Sequence, residues 1–80
     1  MRTEATANWQ SITLTTNEVW MAEGGHLSLY NFGGATPVDN EAGFPLQRGA
    51  TVAFTAESTV HYRRGHGTLN LPATLVRMEA

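Results

Sequence analysis

The chain has 80 residues, no cysteine, five basic side chains against seven acidic ones and a formal charge of −2. This excludes a disulfide scaffold and a thiolate metal site, and it supplies no basic stripe to hold a phosphate backbone, so nucleic acid is not an expected ligand. One domain of this size buries only about 60% of the surface its unfolded chain exposes, which makes contact with other copies or a scaffold the available source of further stability.

Residues 1–8 carry no large apolar side chain after Met1. They read as a flexible N-terminal arm, either frayed or ordered on a neighbouring subunit, ahead of a single β domain over residues 9–80. The arm lacks the apolar core of a signal peptide, and no run of about 20 apolar residues spans a membrane, so a soluble product with no membrane partner is expected.

From Trp9 onward the pattern is short alternation of apolar and polar residues bounded by Gly, Asn or Asp. Trp9 to Thr16 alternates Ile12 and Leu14 with threonines. Thr16-Asn17-Glu18 reads as a turn and Val19 to Ala22 as a strand, and Glu23-Gly24-Gly25 reads as a hairpin break. His26 to Phe32 sets Leu27 and Leu29 against Tyr30 and Phe32, the pattern of a central strand. Gly33-Gly34-Ala35-Thr36-Pro37 is a loop, with Val38 opening a very short edge strand that ends at Asp39-Asn40-Glu41. Phe44-Pro45-Leu46 is extended, and Ala50 to Thr55 directs Val52 and Phe54 inward. Thr59 to Arg64 directs Val60 and Tyr62 inward with His61 and Arg63 outward. Gly65-His66-Gly67 is a hairpin leading to Thr68–Leu71, and Thr74 to Glu79 is the last strand. No stretch has a capped helical period. The predicted fold is an all-β, small antiparallel sandwich or flattened barrel of roughly six to eight short strands.

The succession Leu29-Tyr30-Asn31-Phe32-Gly33-Gly34-Ala35-Thr36-Pro37-Val38, then Gly43-Phe44-Pro45-Leu46-Gln47-Arg48-Gly49, then Val52-Ala53-Phe54, Val60-His61-Tyr62 and a final Val76-Arg77-Met78-Glu79 resembles small β-sandwich proteins encoded among tailed-bacteriophage structural genes. The resemblance covers about residues 10–80. It departs from the pattern at His66 to Ala73, where an extra Gly-Thr-Leu-Asn-Leu-Pro segment precedes the last strand. It implies a virion component, assembled in the bacterial host cytoplasm: a head decoration or cement protein, or a fibre base, whose partner is the major capsid protein or another virion component.

Reactive chemistry is thin. Ser11, Ser28 and Ser58 lack a nucleophile elbow, and the carboxylates are dispersed. The glycine pairs precede no helix that would cradle a phosphate. His61 and His66 across a glycine turn, with His26 and Asp39 or Glu41, lack the compact spacing of a zinc site, and three imidazoles in a small β domain are more often surface or hydrogen-bonded groups. No catalytic residue, metal or cofactor is therefore expected, and the chain reads as a non-enzymatic homo-oligomer, a trimer in the first instance.

The interface candidates are Trp9, Trp20, Arg63, Arg64, Pro37 and Val38, with core packing the competing reading for each tryptophan. Arg63 and Arg64 are adjacent on a strand and so face opposite ways, and Arg63 is a candidate to pair with Glu57 or with a neighbour's carboxylate. A second reading is a glycan-binding module that uses Trp20, Tyr30, Asn31 or Tyr62.

Overall fold

The alternation resolves into eight strands in a computed structural model that describes residues 1–31, 35–38, 43–65 and 72–80. They are β1 (Arg2–Ala5), β2 (Gln10–Thr13), β3 (Glu18–Glu23), β4 (Leu27–Tyr30), β5 (Phe44–Leu46), β6 (Thr51–Phe54), β7 (Thr59–Arg64) and β8 (Ala73–Glu79). Two antiparallel sheets of four form a β-sandwich, with strand orders β1-β8-β3-β6 and β2-β7-β4-β5. Phe32, the Gly33-Gly34 part of the loop, Asp39-Asn40-Glu41 and the His66-to-Leu71 segment lie outside the described residues.

Period-two patterning decides which residues meet between the sheets. From the first sheet come Trp20, Ala22, Phe54, Ala73, Leu75 and Ala5, and from the second Leu27, Leu29, Leu46, Val60 and Tyr62, all buried in one core. Trp20 is 0% exposed and packs edge-on against Phe54 and Tyr62 at centroid distances of 5.1 and 6.0 Å. Such aromatic contacts add about 0.5–1.5 kcal/mol each beyond area burial.

Three local readings change. Residues 2–5 are the edge strand β1, not a flexible arm: Thr3 and Ala5 pair with Leu75 and Ala73, and the Met1 ammonium donates to the Arg77 carbonyl at 2.8 Å. A polar sequence forms this strand because β8 offers it a ladder and only Ala5 is buried in the core. Gly24 has φ +83°, as a tight break requires, but it joins β3 of one sheet to β4 of the other instead of closing a hairpin within a sheet. Val38 lies in a bend and not in a strand.

Close approach explains one further glycine. Gly43, at φ +92°, lies so near β4 that a Cβ there would sit 2.1 Å from the Leu29 carbonyl oxygen. That position holds the start of β5 against Leu29, its register partner across from Phe44.

Candidate functional site

The two sheets carry different chemistry on their outer faces. In the first sheet, Trp20 and Ala22 point inward, so Val19, Met21 and Glu23 point out. Register then places Val76 and Thr51 beside Met21, and Met78 and Ala53 beside Val19. Residues directly opposite in antiparallel strands share a face, so Val19, Met21, Ala53, Val76 and Met78 form an apolar band across β8, β3 and β6, in which Val76 is buried and Val19 and Met21 are half-buried. Met78 is 58% exposed. The Arg2–Glu23 ion pair borders the band on the solvent side.

The second sheet turns an aromatic and polar cluster outward. Ser11, His61 and Tyr30 are aligned across β2, β7 and β4, and Arg63 is aligned with Ser28 and, beyond it, Pro45. Trp9, just before β2, lies over the Arg63 guanidinium, 5.8 Å from it, and meets the Tyr30 ring edge-on at 6.4 Å. Tyr30 in turn meets His61 at 6.2 Å. The two half-buried rings thus close over β7 from both sides. His61 and Arg63, expected outward, are outward but only 1% and 6% exposed, with Trp9 over Arg63 and Tyr30 against His61. The His61 Nδ1 atom has no hydrogen-bond partner among the described residues.

A third locus lies at one end of the sandwich, where Glu18 opens β3 instead of ending a turn. Its carboxylate accepts the Trp20 indole N–H at Oε1 (2.8 Å), Arg77 Nε at Oε1 (2.8 Å) and an Arg77 Nη at Oε2 (2.8 Å). Arg77 also lies 5.8 Å from the centre of the Trp20 ring. The bidentate bond from Arg77 is the main cause that holds the Glu18 carboxyl below the usual carboxylate range and raises Arg77, while burial pushes the Tyr62 phenol up. An open cleft of about 540 Å³ adjoins this network, lined in part by Met1, Thr15, Glu18, Arg77 and Glu79. With both oxygens engaged and its proton affinity lowered, Glu18 is an anchor for the fold and not a proton donor near neutral pH.

The structure divides the sequence candidates. Trp9 and Arg63 come together on the outer face of the second sheet. Trp20 is withdrawn from any surface role by its complete burial, and so is Tyr62, which is 3% exposed. Arg64 projects to the opposite side of β7 from Arg63 and is half-buried. Glu57 sits in the turn before β7, at the end remote from Arg63, with φ 69°. Pro37 is half-buried and Val38 is fully exposed. His26 packs against Gly65, where a Cβ would come within 2.0 Å of its ring. Among the described residues no group of three or more His, Asp or Glu side chains could hold a metal ion, and His66, Asp39 and Glu41 lie outside them. No helix among the described residues is long and apolar enough to cross a membrane.

Sequence reasoning did not single out Met21, Val76, Met78 or the Glu18–Arg77 pair. The signal for Met21 was the alternation itself, since an apolar residue at every position of β3 between its glutamates forces one set outward. No family model, curated protein or solved structure matches this chain.

Proposed function

We propose that this protein is a non-enzymatic structural module that binds a protein scaffold, in the form of a capsid decoration or cement protein of a tailed-phage particle. It binds the major capsid lattice as a homo-oligomer, a trimer in the simplest case, and its place is the virion. The observation that carries this reading is the outward apolar row of Met78, 58% exposed, and Val19 and Met21, both half-buried, on the solvent side of a well-paired sheet. The total surface of 4799 Å² is close to the roughly 4,700 Å² that a monomeric protein of 8.7 kDa presents. Apolar side chains held outward on a rigid sheet therefore suit a docking face, where each Å² removed from water contributes about 25 cal/mol. The phage assignment is supported by the strand and turn motifs that resemble that class.

Size-exclusion chromatography with light scattering, followed by sedimentation with capsids built from the major capsid protein encoded nearest this chain, tests the reading. A discrete oligomer that pellets with capsids to a saturating ratio is the expected result. A dispersed monomer that stays in the supernatant contradicts it.

A further inference from the structure

We propose that the outer face of the second sheet is a separate binding site for a neutral sugar, with Trp9 and Tyr30 as the stacking surface. Trp9, just before β2, and Tyr30, on β4, stand either side of β7, and both are half-buried while covering His61 and Arg63. Trp9 is held from beneath by the Arg63 guanidinium at 5.8 Å and from the side by Tyr30 at 6.4 Å. A tryptophan fixed in this way loses little freedom when a ligand lands on it, which removes one of the main costs of binding. The face of an indole is electron-rich and attracts the C–H groups along one side of a pyranose ring. Around it the Ser11 and Ser28 side chains face the same way, exposed and half-buried respectively, and offer hydroxyls to the sugar's rim.

The second observation is the His61 ring, 1% exposed with its Nδ1 atom lacking a hydrogen-bond partner among the described residues. A buried polar atom left in this state is costly and is seldom kept without a use. Stability alone would be served by an apolar β-branched residue beneath the two rings. An imidazole there instead places a hydrogen-bonding nitrogen beneath the two rings, in the same row as the exposed Ser11 hydroxyl. Single-stranded nucleic acid also stacks on aromatic rings, but it needs a cationic track along the backbone, and a chain of net charge −2 with only five basic residues does not supply one.

The fluorescence of the intact protein reads this site selectively, because Trp20 is 0% exposed and only Trp9 can meet a ligand. Titration with maltotriose, cellotriose and chitotriose is expected to shift the emission saturably for at least one of them, in the millimolar range. Tyr30→Ala, read by the same emission, and Trp9→Phe, read by isothermal calorimetry because it lacks the reporter, are expected to weaken that binding by about tenfold or more, while Met21→Glu on the other sheet leaves it unchanged. Saturation-transfer NMR on the wild-type protein serves as the check that needs no variant, with transfer from indole protons to one side of the sugar ring as the supporting result. The proposal is overturned if no trisaccharide binds, if binding survives loss of both rings, or if only an oligothymidine titrates the emission. None of these outcomes bears on capsid binding through the first sheet.

Discussion

Two arginines in this small sandwich lie over two tryptophans at the same distance, 5.8 Å, one pair in the core and one on an outer face. Arg77 and Trp20 share a carboxylate, Glu18, which takes three hydrogen bonds of 2.8 Å and closes the group into the fold. Arg63 lies under Trp9 on the outer face of the other sheet, where Trp9 forms a half-buried aromatic pair with Tyr30. The same pair of residue types therefore serves the interior in one place and a surface in the other. What sets the role is whether the indole is turned toward the core or away from it.

The comparison breaks most severely at Trp20. Trp20→Ala removes the largest core side chain and is expected to cost about 3–5 kcal/mol, read as the denaturant midpoint of equilibrium unfolding. Trp9→Ala removes a ring of the same size from the outer face and should cost no more than about 1–2 kcal/mol, since the ring is only half-buried. Equal losses would mean that the two tryptophans play the same part.

Glu18→Gln sharpens the contrast. It keeps an acceptor for Trp20 but removes the charge that holds Arg77, with an expected loss of about 2 kcal/mol at neutral pH, less than for a wholly buried pair because Arg77 remains partly exposed. The sign of the pH dependence follows from the lowered Glu18 value, for which Arg77 is the main cause. Between the ordinary carboxylate pKa and the depressed folded one, the unfolded chain binds more protons than the folded one. The pair's contribution is thus complete above the ordinary value and is lost as pH falls through the folded value. Acid unfolding of wild type and Glu18→Gln should converge at low pH and separate above it. Parallel curves throughout would show that Glu18 does not titrate against Arg77.

Much of this architecture was legible from alternation. Leu27 and Leu29, Val60 and Tyr62, and Val52 and Phe54 each announce a strand with one face in the core, and each takes that place. The burial of His61 and Arg63 was not legible, because it depends on rings from Trp9 and Tyr30 that only the strand order β2-β7-β4 brings to β7 from distant parts of the sequence. β1 was hidden for a similar reason: Arg-Thr-Glu-Ala has no apolar run, and its ladder comes from the far end of the chain. Glu18 resembled a turn residue because a carboxylate enters a strand facing the core only when a partner such as Arg77 is supplied by another strand. Of the candidate surfaces, Trp9 and Arg63 were visible as residue types, whereas the apolar band required the register of β3 with β8 and β6.

Smaller effects are expected on the exposed band itself. Met78→Glu, at an exposed position, should change folding stability by about 0.5 kcal/mol, and Met21→Glu, at a half-buried one, by about 1–2 kcal/mol. That makes them suitable for the measurement that bears most directly on the central claim, namely that the protein works through the outside of its first sheet. Wild-type protein and these two variants are to be sedimented with capsids across a range of ratios, with thermal unfolding recorded on the same samples. The account predicts saturable pelleting of the wild type and at least tenfold weaker association of both folded variants. Variants that pellet as well as wild type, or a wild type that never pellets, would contradict it.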